Sequence, residues 1–283
     1  MTIDSLVFDP AARKRQSCSG EGRGAGGREA SIAKAPAFAG VRALRTGWGQ
    51  SLVFTITLVA PLAAQAQAYR CSVPQAIDTP RPDTPDARNP VRRIATGGYT
   101  LALTWSPQFC RTSGDNRSAR FQCAGGNRFG FTLHGLWPDG VGKSWPQYCR
   151  PAAIIPQAVI RRNLCATPSP QLLQHEYAKH GTCMNVTPAR YFAQSSRSFG
   201  QVRYPDMEGL SRRAKLTAGQ FAIAFARANP GLNPRMLRLT ATRDGWLDEV
   251  WICLDKQFKY RRCPAHQASL APATRLKLWR GNR

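Results

Sequence analysis

The sequence predicts an α+β fold: a single domain with a central antiparallel sheet, helices packed on it, and disulfide staples. Three observations carry this. Apolar residues alternate with polar ones at 99–105 and again at 128–137, and two further strand-like runs flank an Asp244-Gly245 turn signal. Between them lie three segments with helix start and stop signals, and no internal repeat marks a second domain. Eight cysteines spread from Cys71 to Cys263 are available as staples.

The chain opens with a leader. Residues 51–64, SLVFTITLVAPLAA, follow Arg42 and Arg45 and lead into AQA, with Ala66 and Ala68 before Tyr69. Basic, apolar and small-residue segments in that order read as a secretory signal over 41–68. The apolar run is shorter than the roughly 20 residues that span hydrocarbon, and it contains Pro61. A cleaved signal is therefore expected rather than an anchor, with no stable membrane insertion afterwards and a periplasmic or secreted product. Residues 1–40 are rich in Arg, Gly and Ala and lack apolar periodicity, so they read as a doubtful extension. Either translation starts near Val41 or a disordered basic segment precedes the signal.

Residues 69–98 are rich in Pro, Asp and Arg and read as an irregular lead-in or linker. The domain is expected over 99–264. YTLALTW places Tyr99, Leu101, Leu103 and Trp105 on one strand face, and RFGFTLHGLW does the same with Phe129, Phe131 and Leu133, leaving His134 near the strand's end. QLLQHEYAKHG, after Pro170, reads as a helix closed by Gly181. PARYFAQSSRSFG follows Thr187, and AGQFAIAFARANPG follows a cap at Thr217 and closes at Asn229, Pro230 and Gly231. RLTATRDGWLDEVWICLD reads as two strands around Asp244-Gly245. Residues 265–283 form a basic tail whose His266 has no evident charge partner.

Without the leader, Cys18 falls away and an even eight cysteines remain, which in an exported chain reads as a disulfide framework. The spacings are wide and contain no C-x-x-C pair, which argues against zinc. The formal charge is +24; residues 1–68 hold eight Lys/Arg and four Asp/Glu, so +20 falls on the remainder. Such a field attracts polyanions but does not choose among nucleic acid, anionic lipid and polysaccharide. The Arg pairs at 92–93, 161–162, 212–213 and 261–262 are most simply solvated charges that together guide a polyanion.

Three of the four histidines fall in two short segments, FTLHGLWPDG at 131–140 and HEYAKHGTC at 175–183. On a helix, His175 and Lys179 are four apart, as are Glu176 and His180, so two titratable stripes share one side. That segment alone could equally be a solvated polar face. His134, on an apolar strand and followed by Gly135, where a phosphate could approach closely, favours chemistry. Cleavage of a phosphodiester by a neighbouring hydroxyl needs one group to take the hydroxyl proton and another to protonate the leaving oxygen. A pair of imidazoles with unperturbed pKa near 6.5 suits both tasks, and a cation at the phosphate stabilises the gathering charge.

These two segments resemble the active-site segments of the ribonuclease T2 family. YTLALTWSPQFC at 99–110 resembles its first core strand, and the late WICLD and RRCP segments extend the resemblance over about 99–264. The resemblance implies that His134 and His180 are acid and base, with His180 the base, and that His175 binds phosphate. Glu176 and Lys179 would then steady the pentacoordinate phosphorus. It implies an RNA substrate, a 2′,3′-cyclic phosphate intermediate, no cofactor or metal, and no cleavage of DNA. It places Trp137 and Asp139 against the base, with Trp145 where an aromatic often stands; core packing is the alternative for each tryptophan. It also implies bridges Cys110–Cys123, Cys253–Cys263 and Cys149–Cys183, leaving Cys71 and Cys165 to pair.

Two rival readings remain. HEYAKH superficially resembles a zinc-protease helix, but that motif needs histidines four apart, and His175 and His180 are five apart and point about 140° apart. A non-catalytic cationic binder would use the charge but gives no reason for clustered histidines.

Overall fold

A computed structural model describes residues 68–281 apart from residue 125. The expected extension at 1–40, and the expected signal up to residue 67, lie outside the described residues. The elements run β1 (Ala68–Arg70), β2 (Thr96–Trp105), α1 (Ser106–Ser113), α2 (Arg120–Cys123), β3 (Arg128–Phe129), β4 (Phe131–Gly140), α3 (Gln157–Asn163), α4 (Pro170–Lys179), α5 (Pro188–Gly200), α6 (Met207–Ser211), α7 (Ala218–Ala228), β5 (Leu237–Ala241) and β6 (Leu247–Leu254). The main sheet is antiparallel in the order β4-β2-β6-β5, and β1 pairs with β3 beside it.

Side-chain alternation separates the two faces of this sheet. Leu101, Leu103 and Trp105 of β2 and Val250, Ile252 and Leu254 of β6 are buried in one core with Tyr191 and Phe192 of α5 and Phe221 and Phe225 of α7. Each such fully buried side chain contributes about 1.5–3 kcal/mol relative to exposure. The helices start where the sequence marks them. Ser169 and Thr187 accept hydrogen bonds from Leu172 and Arg190 backbone N–H groups, and Thr217 forms a capping box with Gln220. Gly245 takes φ +80° in the β5–β6 turn, a conformation that an L side chain resists.

One irregularity decides what the second face carries. In the β2–β4 ladder Ala102 pairs with Gly135 but Leu103 pairs with Leu133, so His134 is the extra residue of a β-bulge. It therefore lies inside β4, not near the strand's end as the alternation predicts. The bulge shifts the phase of the strand. Phe131 and Leu133 before it, and Leu136 after it, can all be buried in the core, while His134, Trp137 and Asp139 take the opposite face.

All four expected disulfides form: Cys71–Cys165, Cys110–Cys123, Cys149–Cys183 and Cys253–Cys263. Both flanks depart from the sequence reading. Residues 71–95 are irregular, but they are packed on the domain rather than linking to it, with Val73 and Ile77 against the core and Arg92 paired with Gln147. The tail is likewise built in: Leu276 and Leu278 are buried, and Leu247 donates its N–H to the Lys277 carbonyl. Apolar residues two apart in an otherwise basic segment are too weak a pattern to announce this.

Candidate active site

Helix α4 delivers its polar residues to the bulged stretch of β4. Gly135 permits the approach: a Cβ there would lie 1.8 Å from Glu176 Oε2 and 2.6 Å from Trp137 Nε1. The space beside Gly135, where the sequence reading allows a close phosphate approach, holds the Glu176 carboxyl. Glu176 Oε2 accepts from Trp137 Nε1 at 2.8 Å, and Oε1 lies 3.6 Å from His134 Nε2, buried and with no hydrogen-bond partner among the described residues. Burial raises the pKa of this carboxyl, against the nearby charges of His134, His175 and Lys179.

The indole of Trp137 is the wall between the two imidazoles. His134 meets it edge-on at 5.0 Å between ring centroids, and His180 stacks on it at 5.6 Å. Their surroundings push the two in opposite directions. Burial alone would lower His134, but Glu249, whose Oε1 accepts from Nδ1 at 2.6 Å, together with the charges of Glu176 and Asp248, raises it to about 9. Glu249 is itself lowered, since the His134 charge and hydrogen bond outweigh its burial. Thr104 Oγ1 at 3.0 Å and Trp251 Nε1 at 2.8 Å hold that carboxylate in place. His180 caps the C-terminus of α4, where burial first, then the charges of Lys179, His175 and His134, depress it well below 6.5. Its Nδ1 is buried with no partner among the described residues.

His175 and Lys179 meet the chain's own lead-in. His175 Nδ1 lies 2.5 Å from Asp83 Oδ2, Tyr148 donates its hydroxyl to Asp83 Oδ1 at 2.8 Å, and Lys179 Nζ donates to Asn89 Oδ1 at 3.2 Å. Asp83 is lowered despite its burial, through His175, Tyr148 and Lys179. The bridge Cys149–Cys183 ties the turn after α4 to this region, and Tyr148 donates its N–H to the Lys179 carbonyl.

The structure therefore brings together His134, His175, Glu176, Lys179, His180 and Trp137. The other two expected base contacts are engaged by protein groups. Asp139 accepts from Thr100 and Gln267 and lies 3.5 Å from Arg261, and burial raises its pKa against those partners. Trp145 lies under Arg92, 4.8 Å from its guanidinium, and donates to Gln147 at 3.0 Å. Sequence reasoning missed Glu249 and Asp83. Glu249 was findable, since it alternates with the apolar Val250 and Ile252 and so must face away from the core; Asp83 sits in an aperiodic segment and carries no such signal.

Fold and site together define a disulfide-stapled α+β protein in which an imidazole on the sheet, His134, and one at the end of α4, His180, are biased to opposite protonation states. The chain belongs to the ribonuclease T2 family, whose model matches residues 96–263. It is 32% identical over 178 residues to a probable ribonuclease of Haemophilus influenzae, covering 58% of this chain and 60% of that relative's length. It is 31% identical over 164 residues to a ribonuclease of Aeromonas hydrophila, covering 56% and 72% of the two chains. Among solved structures, the S-like ribonuclease trichomaglin superposes with a TM-score of 0.53 at 21% identity over 65% of this chain and 98% of that one, which supports the fold alone.

Proposed function

We propose that this chain is an exported endoribonuclease that cleaves single-stranded RNA with little base specificity, by transphosphorylation through a 2′,3′-cyclic phosphate. The opposite bias of His134 and His180 across Trp137 carries the reading. A neutral His180 takes the proton of the 2′-hydroxyl as its oxygen attacks phosphorus, and a protonated His134 gives its proton to the departing 5′-oxygen. His175 and Lys179 hold the phosphate, and Glu176, whose pKa is raised by burial, joins Lys179 in steadying the pentacoordinate phosphorus. Hydrolysis of the cyclic ester runs the two proton transfers in reverse. Neither step calls for a metal, because the substrate supplies the nucleophile and the imidazoles move both protons.

The relatives named as ribonucleases support the substrate class, and four disulfides accord with an oxidising compartment outside the cytosol. The test is incubation of the chain from residue 69 with RNA and with DNA in EDTA, followed by identification of the product ends. RNA fragments that first carry cyclic phosphates, with DNA intact, are expected. Equal cleavage of DNA, or loss of activity on chelation, would refute the mechanism.

A further inference from the structure

We propose that the lead-in at 71–95 is a working part of the phosphate site, with Asp83 the positioning residue that holds the His175 ring by Nδ1 and so turns Nε2 to the substrate. The proposal rests on the ribonuclease reading for the identity of the substrate, but its geometry is independent of it. Asp83 uses both carboxylate oxygens: one lies 2.5 Å from His175 Nδ1 and the other accepts the Tyr148 hydroxyl at 2.8 Å. A carboxylate that accepts from one imidazole nitrogen fixes the ring's tautomer and orientation, and only the other nitrogen is left to meet a ligand. Asn89, on the same strap, accepts from Lys179 at 3.2 Å, so one segment orients both His175 and Lys179.

Such a contact could instead be a displaceable plug, with the Asp83 carboxylate standing in for phosphate. The anchoring argues against that. The strap is tied covalently by Cys71–Cys165 at one end and by the Arg92–Gln147 backbone pairing, 2.9 Å in each direction, at the other. Between these, Arg81 exchanges two hydrogen bonds with Gln171 at the start of α4, at 2.9 and 3.2 Å, and Arg161 donates to the Pro74 carbonyl at 2.9 Å. Tyr148 is held in turn: it takes φ 49°, its N–H bonds the Lys179 carbonyl at 2.8 Å, and Cys149 beside it is bridged to Cys183. Opening the strap would break this whole series. Keeping it closed pre-pays the ordering of the site, which is the gain expected of a positioning group.

The experiment compares wild type, Asp83→Ala, Asp83→Glu, Tyr148→Phe and His175→Ala, each checked for four disulfides and a cooperative thermal transition. Two quantities are read: steady-state cleavage of RNA, and binding of inorganic phosphate followed by the ring resonances of His175, or of His180 in His175→Ala. Asp83→Ala should raise KM and weaken phosphate binding about tenfold or more, as loss of a hydrogen bond to a charged group implies, with kcat within about twofold. Asp83→Glu should recover part of the loss. Tyr148→Phe, which frees one carboxylate oxygen and leaves the His175 contact, should have a smaller effect in the same direction. Loss of the low-field Nδ1 proton of His175 in Asp83→Ala is the spectroscopic signature. KM and phosphate affinity within twofold of wild type would reduce the strap to packing, and a lowered KM would make it an inhibitory plug; either result overturns the proposal. If the wild type fails to cleave RNA, the ribonuclease reading fails, and the phosphate titration still decides the role of Asp83.

Discussion

Replacing Glu249 by Gln tests the acid assignment through the pH profile. In the wild type, His134 is raised from 6.5 to about 9, worth about 3 kcal/mol between its two protonation states. Glutamine keeps the shape and an oxygen for Nδ1 but removes the charge, leaving Glu176 and Asp248 to oppose burial. The ring should then titrate near or below 6.5. At pH 8 a group of pKa 9 is about 90% protonated and one of pKa 6.5 about 3%, so kcat/KM should fall about thirtyfold there and little near pH 5.5. The assay is kcat/KM for a short RNA from pH 5 to 10. The alkaline limb should move down by about 2.5 pH units or more, while the acid limb, set by His180, stays below 6.5. An alkaline limb still near 9, or an equal loss at every pH, would refute the argument. Stability gives a second reading with a fixed sign. A raised histidine stabilises the fold fully below its unfolded pKa of about 6.5, and that contribution fades as pH climbs through about 9. The wild-type urea midpoint should fall over that window, and the Glu249→Gln midpoint should not.

Other perturbations separate the remaining roles. His134→Ala and His180→Ala should each lose roughly 10² to 10⁴ in turnover while folded, and His175→Ala should mainly raise KM; near-normal turnover by either severe variant would return the histidines to ordinary surface. Gly135→Ala puts a methyl 1.8 Å from Glu176 Oε2, so it should cost about 1–3 kcal/mol in stability and most of the activity, measured by thermal unfolding and initial rates. Trp137→Phe removes the donor to Glu176 and leaves a second buried carboxyl oxygen unpaired, so denaturant titration should show a loss of about 1–3 kcal/mol. Paired Cys149→Ser and Cys183→Ser substitutions should destabilise by about 2–4 kcal/mol, and kcat should fall at temperatures where the chain is still folded if the bridge positions α4.

Local chemistry determined a large part of this protein. Alternation in YTLALTW and LDEVWICLD, the caps at Thr187 and Thr217, and the Gly245 turn are interactions between near neighbours, so they are written in the chain order and the structure repeats them. The clustered histidines were legible for the same reason, since helix spacing places Glu176 and His180 on one stripe. The protonation states were not legible, because they depend on a carboxylate 115 residues away, Glu249, and on burial that exists only after α4 meets the bulged strand. The phase of β4 beyond His134 also depends on its partner strand: a bulge is a mismatch between two strands, and alternation read along one of them cannot reveal it. Asp83 is the extreme case. Nothing in an aperiodic, proline-rich segment says where it lies, and only the tertiary fold, through Cys71–Cys165 and the Arg92–Gln147 pairing, sets its carboxylate against His175.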